Sequence, residues 1–169
     1  MSKKKKKISK TLVEKILDKE NVEYKAMTFP TKAEGDTQEL VHDGSMQDGY
    51  KIYKTLVLTG NKTGPLVGMI PLDKHLSYKK LAKISGNKKV GMVPLKDLIK
   101  TSGFEHGANS PVGIRSLHNY PIYFDNEAER SEKIIVSAGK LGQSLLIEPH
   151  DLAKVVDAKF GDFAVDDPE

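Results

Sequence analysis

Two features of this chain could do chemistry on a ligand: a lysine set in an apolar strand, and a pair of tight glycine loops. The stretch "GYKIYKTLVLTG", Gly49 to Gly60, reads as a β-strand, and alternate side chains of a strand share a face. Ile52, Lys54, Leu56 and Leu58 then form one face, with Tyr53, Thr55, Val57 and Thr59 on the other. Lys54 stands in a row whose other members want a core. Two readings are open. Lys54 is a strand-end lysine whose stem lies on apolar surface while its ammonium reaches water. Or it faces a bound anion, which would hold it charged where desolvation alone favours the neutral amine. The loops "GANSPVG" from Gly107 and "VSAGKLGQS" from Val136 offer close turns. Successive N–H groups in such turns can meet an oxyanion, a carbonyl or a phosphate. Gly107, Ser110 and Pro111 shape the first loop; Gly139 and Gly142 shape the second. Either alone is an ordinary turn, but together with an inward-leaning lysine they form a site, provided that one pocket is lined by all three.

Other chemistries find little footing. His42, His75, His106, His118 and His150 are far apart and share no metal-ligand spacing. The chain has no cysteine, which excludes disulfides, thiolate zinc sites and a cysteine nucleophile, and fits a reducing compartment. No G-x-S-x-G elbow is present, and Ser110, beside a proline, reads as a turn residue with no histidine to pair it. "TGNKTGP" lacks the full phosphate-loop pattern and reads as a hairpin turn.

The elements that must position these residues follow from periodicity and punctuation. "SKTLVEKILDKENVEY" predicts an amphipathic helix with Ser9 as N-cap, a stripe of Leu12, Val13, Ile16 and Leu17, and Asn21 at its end. "VEYKAMTF" alternates as a strand, and residues 31–49 read as a polar loop. "KIYKTLVLTG" and "GPLVGMIPL" read as a hairpin. A helix runs from Ser77 to Gly86, "KKVGMVP" is a short strand, and a second short helix lies between Pro94 and Gly103. "FEHGANSPVGI" reads as a loop, followed by strands at "YPIYFDN", "KIIVSAG" and "SLLIEP" and a final helix at "HDLAKVVDAKF". Mixed order without regular βαβ alternation favours α/β or α+β with a mixed sheet.

The 169 residues suit one domain, and 38% hydrophobic with 30% charged residues suits a globular one. No apolar run approaches the roughly 20 residues of a membrane span. Lys3 to Lys7 supply five charges against a net charge of +4, so the remainder stands at −1. Residues 1–8 therefore read as a basic disordered arm, 9–163 as the folded domain and 164–169 as an acidic tail.

At this point a resemblance enters. "YKTLVL" from Tyr53, "LSYKKLAKISGNKKVGMVP" from Leu76, "TSGFEHGANSPVGI" from Thr101, "IIVSAGKLGQSLLIEP" from Ile134 and "DLAKVVDAKFGDF" from Asp151 together resemble the YbaK/EbsC family. These are free-standing aminoacyl-tRNA deacylases, related to the editing domain of bacterial prolyl-tRNA synthetases. The resemblance implies a single α/β domain with a mixed, partly barrel-like sheet wrapped by helices. It implies removal of cysteine from mischarged Cys-tRNA(Pro), and from Cys-tRNA(Cys) as a further substrate, by attack of the substrate's own thiol on its ester. Proline and cysteine are close in size, so a synthetase pocket discriminates weakly between them. Alternatives are editing of another small residue such as alanine, or a non-catalytic tRNA- or synthetase-binding module.

No metal, cofactor or membrane is implied. The implied partners are the acceptor end of tRNA(Pro) and prolyl-tRNA synthetase, and the implied compartment is the cytoplasm. By resemblance Lys54 binds the phosphate or ribose of the terminal adenosine and orients the ester, with Thr55 beside it. Gly107 offers backbone groups to the aminoacyl end, Ser110 and Pro111 shape the pocket, and Phe29, Gly139 and Ser144 complete the substrate-binding set. The chain has Phe29 where relatives often have tyrosine, Ser144 where many have an acid, and "GANSP" in place of the commoner "GGISP". These departures bear on pocket contacts and not on Lys54.

Overall fold

The computed structural model describes residues 9–29, 31–34, 37–40 and 45–168; the basic arm and His42 lie outside them. The first helix, α1 (Leu12–Lys19), is capped by Thr11 rather than Ser9. Thr11 accepts from the Glu14 N–H at 3.1 Å while the Glu14 carboxylate accepts from the Thr11 N–H at 2.9 Å. This reciprocal capping box needs an acid three residues on, and only Thr11 has one. Val13 and Leu17 are buried, but Leu12 is 53% exposed and leaves the expected stripe.

Strand β1 (Tyr24–Thr28) follows, then two short hairpins where a loop was expected: β2 (Thr31–Glu34) with β3 (Thr37–Leu40), and β4 (Met46–Gln47) with β5 (Tyr50–Lys51). The long hairpin is β6 (Tyr53–Gly60) with β7 (Gly64–Pro71), and β8 (His75–Leu76) leads into α2 (Tyr78–Ser85). Ser77 caps α2 and Gly86 ends it in the left-handed region, both as the sequence predicts. Next come β9 (Val90–Met92), a 3₁₀ turn (Leu95–Asp97) and α3 (Leu98–Ser102). The remaining elements are α4 (Pro111–Leu117), β10 (Ile122–Asp125), α5 (Asn126–Glu129), β11 (Ile134–Lys140), β12 (Gln143–Ile147), α6 (Pro149–Val156), β13 (Lys159–Gly161) and β14 (Ala164–Val165).

Two sheets carry the architecture. One has the order β13-β10-β7-β6-β9, the other β1-β12-β11. The first is mixed: β10 runs parallel to β7 and β13, while β6 is antiparallel to β7 and β9. Its parallel pairs require long crossovers, and these carry the helices. An isolated parallel bridge, Ile52 to Ile135, joins the two sheets. No sheet closes on itself among the described residues. The result is the mixed α/β class that the sequence implied.

The core lies on both sides of β6 and β7. Tyr53, Val57, Val67 and Met69 face a cluster built with α1, α4, α6 and the inner side of β11 and β12. Leu58, Leu66 and Ile70 face a second cluster with α2 and Phe163. The single inward face expected for β6 is thus corrected. The strand is covered on both sides, so Tyr53 and Val57 are as buried as Leu58. The tail boundary also moves, because Ala164–Val165 pairs with His75–Leu76. Among the described residues no helix is long and apolar enough to cross a membrane.

Candidate active site

A cavity of about 630 Å³ opens beside β6. Six consecutive residues, Ile52 to Val57, line it. A cavity over one face of a strand would meet every second residue; a continuous run means that it lies along the strand's edge. The register explains why that edge is open. Strand β9 pairs only with Leu58 to Gly60, and Val93 donates to the Val57 carbonyl at 3.1 Å as the chain leaves. On the other side, Pro65 and Pro71 stand opposite Thr59 and Tyr53. Proline has no N–H for the ladder, so the odd-numbered residues of β6 occupy the non-hydrogen-bonded positions. The N–H and C=O of Thr55 therefore point away from β7, toward the side β9 leaves uncovered.

Lys54 is partly buried on this wall. It forms no ion pair among the described residues. Burial pushes its pKa down, and Asp73 pulls it partly back up. The Thr55 hydroxyl is buried without a hydrogen-bond partner among the described residues. A cation short of counter-charge and main-chain groups of Thr55 thus border the same space, with the Thr55 hydroxyl buried behind them. This is an arrangement that a polar, anionic ligand would complete.

Both glycine loops reach the cavity. Gly107 and Asn109 line it from the first; Ser137, Lys140, Gly142 and Ser144 line it from the second. Ser137 ties the loops together. Its hydroxyl donates to the Ala108 carbonyl at 3.0 Å and accepts from the Gly139 N–H at 3.0 Å. Gly107 has φ 88°, a conformation that strains any other residue, and a Cβ there would also push Leu141 Cδ1, 2.9 Å away. Asn109 is held from behind by Ser102, whose hydroxyl donates to its carbonyl oxygen at 2.7 Å. Met92, Val93, Leu95 and Leu98 supply the apolar wall, and His106 stands exposed at the rim.

Of the residues singled out from sequence, Lys54, Thr55, Gly107, Gly142 and Ser144 line this one cavity. Four others lie elsewhere. Ser110 is fully buried, where its hydroxyl accepts from Gly113 as the N-cap of α4, with Pro111 opening the helix. That helix replaces part of the loop expected at "FEHGANSPVGI"; serine followed by proline is itself a helix-start signature. Phe29 packs with Ile52, Ile135 and Leu146 and donates its N–H to the Gly142 carbonyl at 2.7 Å. Gly139 lines a neighbouring cavity. The apolar wall from Met92 to Leu98 and the residues Asn109, Ser137, Lys140 and Gln143 carry no sequence signal that separates them from ordinary turn and helix residues.

A family model of the aminoacyl-tRNA editing domain matches residues 33–155. The chain belongs to this family. Editing of an aminoacyl-tRNA is cleavage of its ester, so this editing domain is an aminoacyl-tRNA deacylase. A curated relative from Enterococcus faecalis, provisionally named Cys-tRNA(Pro)/Cys-tRNA(Cys) deacylase EbsC, is 39% identical over 159 residues, which cover 94% of this chain and 96% of that protein. Two crystal structures share the fold. One, of a hypothetical protein, has a TM-score of 0.72 at 19% identity, covering 90% of this chain and 98% of its own. The other, described as that of a provisional trans-editing enzyme for prolyl tRNA synthetase, has a TM-score of 0.60 at 21% identity, covering 66% and 69%.

Proposed function

We propose that this editing domain removes cysteine mischarged onto tRNA(Pro), with Cys-tRNA(Cys) as a further substrate. The observation that carries the proposal is the unpaired ammonium of Lys54 beside the Thr55 edge, facing two glycine-rich walls across one cavity. The cavity's volume of about 630 Å³ sits within the usual range of about 300–1,000 Å³ for small-molecule sites. That is room for an aminoacyl group and its terminal adenosine. Lys54 meets the phosphate or ribose of that adenosine and stays charged in the complex. Gly107 turns backbone groups toward the ester, where charge develops as the carbonyl is attacked.

The substrate's cysteine supplies the nucleophile. Its sulfur bonds to the ester carbonyl carbon, the bond from that carbon to the ribose oxygen breaks, and the thiol proton passes to the departing oxygen. Uncharged tRNA and a four-membered thiolactone leave, and water opens the thiolactone to cysteine. The protein's share is to hold thiol and carbonyl in reacting geometry. Its place of action is the cytoplasm, alongside the prolyl-tRNA synthetase that makes the error.

The test is release of amino acid from tRNA(Pro) charged with cysteine, serine or alanine, each against its spontaneous rate. Cysteine release well above background, with serine and alanine near background, is the expected result. No acceleration with cysteine overturns the deacylase assignment of substrate. Equal acceleration with alanine overturns the thiol mechanism, because alanine has no thiol.

A further inference from the structure

A second cavity, about 580 Å³ and more open, adjoins the first. Its walls are Ile99, Gly103, Phe104, Glu105, Gly139, Lys140 and Leu141. These are chain neighbours of first-cavity residues: Ile99 follows Leu98, Glu105 precedes His106, and Gly139 and Leu141 flank Lys140. The two cavities therefore lie across the same three segments, and Lys140 alone lines both. Its position at the junction has a local cause. The β11–β12 register shifts between Ser137 and Lys140, a bulge that puts Gly139 at φ 95°, and bulges re-aim the side chains beside them. A Cβ on Gly139 would crowd Val13 Cγ2 at 3.1 Å and Phe104 Cε1 at 3.3 Å, so the bulge is held to glycine.

Two charges of opposite sign border this second cavity. Lys140 is exposed and makes no ion pair among the described residues. Glu105 is exposed as well, and its carboxylate makes none either. They share a cavity without pairing with each other. Apolar surfaces share the walls with them: Ile99, 63% exposed, with Leu141 and the partly buried Phe104.

We infer that the second cavity is a nucleotide subsite for the cytidine that precedes the terminal adenosine of tRNA. The inference rests on the reading of the first cavity as the site of the aminoacyl-adenosine. Lys140 stands where the phosphodiester joining the two nucleosides must pass. Ile99, Leu141 and Phe104 provide the apolar walls that a base face packs against. Glu105 is the acceptor for the exocyclic amine, the group that carboxylates take on cytosine. The subsite reads the invariant tRNA end and leaves discrimination among amino acids to the first cavity.

The experiment compares equilibrium binding of uncharged cytidylyl-(3′→5′)-adenosine with that of adenosine, for wild type, Ile99→Glu and Glu105→Gln. Ile99 and Glu105 line only the second cavity, and both are exposed, so neither change threatens the fold. The dinucleotide should bind wild type about tenfold more tightly than adenosine, on the scale of one charge-assisted contact. Its added salt dependence should have a slope of about −0.7 for its one phosphate. Ile99→Glu should abolish that advantage, and Glu105→Gln should reduce it, with adenosine binding unchanged in both. Equal affinity of wild type for the two ligands overturns the inference, as does an Ile99→Glu effect that is the same on both. If the dinucleotide binds as expected while Cys-tRNA(Pro) is not cleaved, the subsite stands and the reading of Cys-tRNA(Pro) as substrate falls.

Discussion

Replacing Lys54 with methionine tests the central physical argument, because stability and activity should move in opposite directions. The substitution keeps a long, flexible stem and removes a charge that is partly buried without an ion-pair partner among the described residues. Burial holds the Lys54 pKa below its ordinary 10.5, against the opposing pull of Asp73. Removing such a charge at a functional site commonly stabilises by roughly 0.5–2 kcal/mol. At about 2–4 °C per kcal/mol for a chain of this size, the Met variant should melt a few degrees above wild type. Turnover of Cys-tRNA(Pro) should fall on the order of 10²-fold or more, the scale of lost positioning.

The pH dependence has a definite sign. Between the lowered folded value and 10.5, the unfolded chain keeps a proton that the folded chain has shed. Stability from this group is therefore fully present above 10.5 and is lost as pH falls through the folded value. Wild type should gain stability with rising pH across that window, and Lys54→Met should lack the gain. Activity runs the other way. It needs the ammonium, so kcat/KM should fall as pH rises through the lowered value. Asp73→Asn should move that fall to lower pH. Thermal melts and single-turnover deacylation across pH supply both readings. A Met variant less stable than wild type would refute the reasoning, since Lys54 would then be held by stabilising contacts.

Thr55→Val removes a buried hydroxyl with no partner among the described residues; stability should stay equal or rise by about 1 kcal/mol, read as an equal or higher melting temperature. Ser137→Ala breaks the tie between the loops. It should cost about 1–3 kcal/mol and speed amide hydrogen exchange at Gly107 to Asn109 more than elsewhere. Asp125→Ala removes a buried carboxylate that accepts from Phe163 at 3.0 Å, Ala164 at 2.8 Å and Glu127 at 2.9 Å. Each orphaned buried donor costs about 1–3 kcal/mol, so chemical denaturation should show the largest loss of this set, with the C-terminal segment released first.

Local punctuation made much of the chain readable. Ser77 and Gly86 bracket α2 because a side-chain acceptor and a residue tolerant of positive φ are needed at those two places whatever the surroundings. The β6–β7 hairpin was equally plain. Where the reading failed, a partner distant in sequence decided the outcome. Strands β13 and β14 span three and two residues, too short for any pattern, and exist because β10 and β8 offer them edges. Residues 31–34 with 37–40, and 46–47 with 50–51, pair into hairpins with too little alternation to announce it. The N-cap of α1 is local after all: Glu14, three residues beyond Thr11, marks the capping box in the sequence itself and sets Thr11 apart from Ser9.

The sequence by itself determined the ingredients of the site: a lysine in an apolar strand, two glycine-bearing loops, and no cysteine to serve as nucleophile. It could not determine that Lys54 and Thr55, on opposite faces of β6, line the same cavity. Alternation separates neighbouring residues on a strand. Only the shortness of β9, which pairs with Leu58 to Gly60 and leaves Thr55 uncovered on that side, brings both to one cavity. The same holds for Ser110 and Phe29. Their residue types suit a binding site, yet packing buries them behind the wall, because capping α4 and filling the space beneath Gly142 are tasks set by tertiary contact.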